Sequence, residues 1–114
     1  MQVVNNGDMA RIEELARMVA DSRVRNDTLM CLYKKCGSEI LVKTIAKNIK
    51  ADRENVLGAI RGMDNRYKEE YSLAYLELAH IKEVLDNGHV SHTATITSLG
   101  IQVVEYMIEK NGNN

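Results

Sequence analysis

The side chains that can do chemistry are concentrated in one stretch of this sequence. Residues 34 to 68 hold nine cations, Lys34, Lys35, Lys43, Lys47, Lys50, Arg53, Arg61, Arg66 and Lys68, against four acids, Glu39, Asp52, Glu54 and Asp64. From residue 69 onward two lysines face seven carboxylates, a segregation that the formal net charge of −1 conceals. A basic middle between acidic or neutral ends suits a local contact with a polyanion. His80, His89 and His92 match no strong zinc signature, and residues three apart on a strand point to opposite faces, so no metal site is expected. Cys31 and Cys36 stand five apart on one expected helix, about 140° apart around its axis, which prevents a bridge between them. Free, partly buried thiols in a reducing compartment are the expectation. There is no phosphate-cradling glycine loop and no G-x-S-x-G nucleophile motif, and the carboxylates follow the pattern of helix surfaces. Neither enzymatic activity nor a cofactor is expected.

What must position these side chains is a chain of 114 residues, enough for one modest core. Apolar residues make up 45% without any Phe, Trp or Pro, so Leu, Ile, Val, Met, Ala and Tyr build that core. Asp8 can cap a first amphipathic helix over 8–20, in which Met9, Ile12, Leu15, Ala16 and Val19 recur at helical spacing. A second, over 23–36, turns Val24, Leu29, Leu32, Tyr33 and Cys36 inward and stops at Gly37. A third, over 40–49, buries Val42, Ile45, Ala46 and Ile49 and leaves Lys43, Lys47 and Lys50 outside. Asp52 caps a fourth, whose core face is Val56, Ala59, Ile60 and Met63. After the aperiodic DNRYKEEY, Ser72 opens a short helix over SLAYLELAH. The period then changes: IKEVL and VSHTATI flank DNGH, and Asn87-Gly88 is a strong hairpin signal. Thr97 or Ser98 caps a closing helix, LGIQVVEYMIEK, that ends at Asn111-Gly112. The expected organisation is one domain, with an N-terminal helix over 8–21, a core over 22–96 and a C-terminal helix over 97–110.

The fourth helix carries a residue that weakens it, since a mid-helix glycine costs about 1 kcal/mol relative to alanine. With Val56 at 0° and about 100° per residue, Ile60 falls near 40°, Ala59 near 300° and Met63 near 340°. Arg61 near 140°, Glu54 near 160° and Gly58 near 200° occupy the far side, and Leu57 near 100° is also expected to be exposed. A glycine facing away from the core has no packing role within the domain. Its missing side chain would let the helix backbone approach a partner closely.

Three stretches, VKTIAKNIKADRENVLGAIRGM, IKEVLDNGHV and ITSLGIQVVEYM, make the sequence resemble the winged helix-turn-helix domains of small bacterial and archaeal transcription regulators. They are a compact helix pair joined by a tight turn, a strand with its wing, and a threonine-then-glycine segment leading into a final helix. The passage DNRYKEEYSLAYLELAH is longer than such regulators usually have before the wing, and Ala79-His80 stands where a glycine usually ends the helix. The resemblance implies a mainly α fold with a β-hairpin: a winged helix-turn-helix with an additional N-terminal helix and a C-terminal helix. It also implies that the second helix of the pair enters the major groove of double-stranded DNA. Glu54, Asn55, Leu57, Gly58 and Arg61 would then meet base edges, with arginine reading guanine, glutamate accepting from cytosine and leucine meeting a thymine methyl. Lys43, Lys47, Lys50, Arg53, Arg66 and Lys68 would meet phosphates, which set affinity and salt dependence rather than sequence preference. Asn87, Gly88 and His89 would form the wing, where the acidic Asp86 favours an exposed turn over a minor-groove contact.

The closing helix carries two apolar stripes, Leu99, Val103 and Met107 beside Ile101, Val104 and Ile108. A second stripe suggests a second copy of the chain, with Leu99, Ile101, Val104 and Ile108 at the interface, unless the N-terminal helix covers it. The leading expectation is therefore sequence-specific binding of duplex DNA by a homodimeric transcription regulator without a cofactor. The alternative is a winged-helix module for protein contact in a larger assembly. With no apolar run of about eighteen residues and no basic-then-apolar start, a cytoplasmic address without membrane contact is expected.

Overall fold

The computed structural model describes residues 6–62 and 68–112. Its elements run α1 (Asn6–Ala20), α2 (Arg23–Lys34), β1 (Ile40–Leu41), α3 (Val42–Ile49), α4 (Arg53–Arg61), a 3-10 turn (Glu69–Tyr71), β2 (Ala79–Asp86), β3 (His89–Ile96) and α5 (Ser98–Gly112). The four expected N-terminal helices and the closing helix are all present, because each carries an apolar stripe at helical spacing; α1 starts at Asn6, so Asp8 lies in its first turn and is not its cap. Ser22 begins α2 by accepting the Arg25 N–H on its hydroxyl at 3.2 Å. Three residues, Lys50 to Asp52, join α3 to α4. Lys50 sits in the left-handed region at φ 58°, and the Ala51 N–H closes the turn on the Ala46 carbonyl at 2.9 Å. Asp52 occupies the N-cap position, but its side chain makes no capping bond there.

The sheet is three-stranded and antiparallel in the order β1-β3-β2. β2 and β3 pair from Ala79↔Ile96 to Asp86↔His89. Asn87 at φ 55° and Gly88 at φ 82° close the hairpin, the left-handed pair that a two-residue type I′ turn requires. β1 was not expected: Ile40 and Leu41 form the edge strand opposite Ala94 and Thr93 instead of starting α3. A two-residue strand carries no periodicity of its own and exists only because β3 is there to pair with it.

Two further expectations fail locally. Residues 72–80 form no helix; the segment makes turns and then enters β2 at Ala79. Backbone bonds explain this: the Leu73 N–H donates to the Ala59 carbonyl at 3.0 Å and the Ala74 N–H to that of Ile60 at 2.7 Å, so the segment is pinned across the end of α4. α2 ends at Lys34, which leaves Cys36 exposed rather than inward, while Cys31 is half-buried; both are free thiols.

The core collects Leu15 and Val19 of α1, Leu29 and Leu32 of α2, Ile45 of α3, Val56 and Ile60 of α4, Leu73, Leu78, and Val103 and Val104 of α5. α1 packs against α5, and α2 packs against α3, α4 and α5. Thr97 starts α5 by accepting the Gly100 N–H on its hydroxyl at 2.9 Å while donating to the Glu77 carbonyl at 2.7 Å. Gly100 has to be small, because a Cβ there would run into the Leu78 carbonyl oxygen. That contact gives the threonine-then-glycine segment a structural reason. The molecule is mainly helical and winged-helix-like, with a hairpin after the helix pair and terminal helices packed on each other.

Candidate nucleic-acid interface

α3 and α4 present the basic block on their outer sides. Lys47 and Lys50 on α3 and its turn are exposed, as are Arg53, Glu54 and Arg61 on α4 and Lys68 beyond it, and Asn55 is half-buried. No ion pair among the described residues engages Lys47, Lys50, Arg53, Arg61 or Lys68. Lys43 differs, since its Nζ lies 2.6 Å from Asp86 Oδ2 at the end of β2. That contact ties the base of the wing to the start of α3 and occupies the cation expected to meet a phosphate. Arg66 and Met63 lie outside the described residues.

α4 corrects two of the expected base-reading positions. Val56, Leu57, Gly58, Ala59 and Ile60 are buried in succession. Five consecutive helical residues sample every direction around the axis, so this half of α4 is enclosed. Leu57, at 7% exposure, is not available to a thymine methyl, and Gly58 does not present bare backbone to a partner. The expectation assumed one covered side, whereas α2 and α3 pack against this helix and the 73–74 segment bonds to its last carbonyls. Gly62, which closes α4, is under a steric constraint from outside the helix. Its φ is 81°, its N–H donates to the Gly58 carbonyl at 2.8 Å, and a Cβ would stand 2.5 Å from Glu69 Cα. What remains accessible on α4 is its first turn, Arg53, Glu54 and part of Asn55, together with Arg61 at its end. Glu54 and Arg61 are seven residues apart on one side, about 10 Å along the axis.

The wing is built differently from the helix pair. Asn87, Gly88 and His89 are exposed at its tip, but no Lys or Arg occurs between Glu83 and Thr97. Leu85 and Val90 pair directly across the strands at 78% and 61% exposure. Midway along the hairpin, Glu39 bridges Lys82 Nζ and the Thr93 hydroxyl, each at 3.0 Å. The Lys82 ammonium above all, and then the Thr93 hydroxyl, hold the Glu39 carboxyl below its ordinary range. His92 faces Glu83 at 3.8 Å, and strand alternation puts His80 on the opposite face.

Of the residues expected at a subunit interface, Val104 is fully buried within the chain and Ile108 is exposed; Leu99 and Ile101 are half-buried. Val103 and Val104 both lie in the buried core, and α1 and α2 both pack against α5, so Val104 is a core residue. Sequence reasoning also passed over the setting of Lys34 and Lys35. With Lys50 they line a surface groove of about 510 Å³ between α2 and the end of α3. Membership of the basic block was the available signal, but their place at a helix stop disguised it.

A family model described as EarA-like matches residues 15–107, from the middle of α1 into α5. An uncharacterized protein of Methanocaldococcus jannaschii, MJ0905, is 29% identical over 99 residues, which span 87% of this chain and 86% of that protein. No solved structure matches with significance, and no described helix is long and apolar enough to cross a membrane. The family match runs through the helix pair, the hairpin and most of the closing helix, and on that extent the chain belongs to the EarA-like family.

Proposed function

We propose that this protein is a sequence-specific double-stranded DNA-binding transcription regulator that acts as a homodimer. The observation that carries the reading is the row of exposed, unpaired cations along α3 and α4, Lys47, Lys50, Arg53 and Arg61, on a helix pair followed by a hairpin. In such a fold the second helix enters the major groove. The first turn of α4 presents Arg53, Glu54 and Asn55 to base edges or the adjoining phosphate. Arg61, about 10 Å further along the axis, reaches a base about three steps away at roughly 3.4 Å per step. No cofactor takes part.

Titration of a labelled duplex pool over salt tests the reading. Affinity should fall steeply as salt rises, and failure to bind any duplex at low salt would remove the proposal. After selection of a preferred sequence, Arg61→Ala should cost roughly 1–3 kcal/mol on that sequence and less on random DNA, whereas Lys47→Ala should weaken both alike. Equal effects of the two variants would move Arg61 from base reading to backbone contact. A protein-contact module is the second reading, favoured by one observation, the exposed aliphatic pair Leu85 and Val90 on the wing. Duplex binding with a steep salt dependence decides against it.

A further inference from the structure

The groove between α2 and the end of α3 has a charge that the domain does not use. Lys34, Lys35 and Lys50 border it, and Met30, Cys31 and Ile49 are among the residues lining it. No ion pair among the described residues engages the three lysines. Asp27, also on the groove, is committed elsewhere, with its Oδ2 2.8 Å from Arg23 Nη1. Nor are the ammonium groups needed as helix caps. The Lys35 and Cys36 N–H groups donate to the Leu32 and Tyr33 carbonyls at 3.2 and 3.1 Å, and the Ala51 N–H caps α3 on Ala46. With those carbonyls satisfied by backbone, the lysine side chains remain for an anion from outside. The groove adjoins the start of α4, since Lys50 lies three residues before Arg53. The wing is the opposite case: Glu83 and Asp86 are its only charged groups beyond Lys82 apart from histidine, and its tip offers leucine and valine.

We infer that the DNA backbone is held by the Lys34, Lys35 and Lys50 groove at the end of α2, and that the wing makes no phosphate contact. This inference rests on the DNA-binding reading and assigns which side of the helix pair follows the phosphates. Each neutralised phosphate contributes about 0.9 to the slope of log affinity against log salt.

The test uses the full chain, a labelled duplex of random sequence, and salt between about 50 and 200 mM. The Lys34→Gln/Lys35→Gln variant should bind about tenfold or more weakly at the low-salt end, with a slope shallower by about 1 to 2. The Leu85→Ser/Val90→Ser variant should bind as the wild type does. Thermal melting by circular dichroism accompanies both, and Leu85→Thr/Val90→Thr replaces the serine pair if that variant melts early. A wild-type slope in the lysine variant overturns the inference, as does a tenfold loss in the folded wing variant. If the wild type binds no duplex at low salt, the DNA reading fails and takes this inference with it; wild-type binding with unchanged variants fails the inference alone.

Discussion

Gly58 and Gly62 lie four residues apart at the end of one helix and answer to different constraints. Gly62 is held by its own geometry, a φ of 81° and the backbone of Glu69 against the place of its missing side chain. Gly58 has a helical backbone and a buried site, so its lost helix propensity accompanies enclosure rather than contact with a partner. A helical wheel drawn from sequence assigns one covered side, and Arg61 and Glu54 are exposed as that wheel expects. It cannot show a segment folding back over the other side. Gly58→Leu should therefore act on stability first, lowering it by roughly 1–3 kcal/mol through overpacking, measured by urea denaturation. A Gly58→Leu protein as stable as the wild type, but defective on DNA, would restore the original expectation of a bare backbone at the interface.

Elements with local signals were legible and those that depend on a partner were not. The hairpin was visible in Asn87-Gly88, and α5 in Thr97, because turn and cap chemistry is written in adjacent residues. β1 was hidden in an apolar run that also fits a helix start, and SLAYLELAH has helix-forming residues that tertiary hydrogen bonds to Ala59 and Ile60 override. The Glu39 cluster belongs to the same scale, because it joins the segment before β1 to the two strands of the hairpin. A carboxyl whose folded pKa lies below its unfolded value adds stability above the unfolded pKa and loses it as pH falls through the folded one. The wild type should therefore melt above Glu39→Gln at neutral pH, by a small margin for so exposed a group, and the gap should close in acid. Melting temperatures of the two proteins across that range check it; a gap independent of pH would assign the difference to packing.

At the scale of the whole molecule, the charge segregation of the sequence becomes a spatial one only through the fold. The described cations of residues 34–68 line the α2 end, α3 and α4 and the stretch just after it, whereas the acid-rich C-terminal part forms the wing and α5. The proposed homodimer also belongs here. Val104 is already interior, with α1 and α2 both packed against α5, which leaves Ile108, with Leu99 and Ile101 half-covered, as the surface for a second copy. Sedimentation at micromolar concentration should give a mass near twice the 12.9 kDa of one chain. Ile108→Glu should shift it to a single chain without lowering the melting temperature. A monomeric wild type would end the dimer reading and leave DNA binding to be judged on its own.

By itself the sequence determined the five helices, the hairpin and its turn, the basic block, and the outward placement of Lys47, Arg53, Glu54 and Arg61. Each of these follows from periodicity, caps, turns or charge within a few neighbouring residues. Tertiary structure alone decided that Leu57, Gly58 and Val104 are interior, that Lys43 is spent on Asp86, that β1 exists, and that Lys34 and Lys35 share a groove with Lys50. The physical reason is the same throughout: burial, ion pairing and strand pairing are relations between residues distant in the chain, and no local pattern specifies which distant surface will arrive.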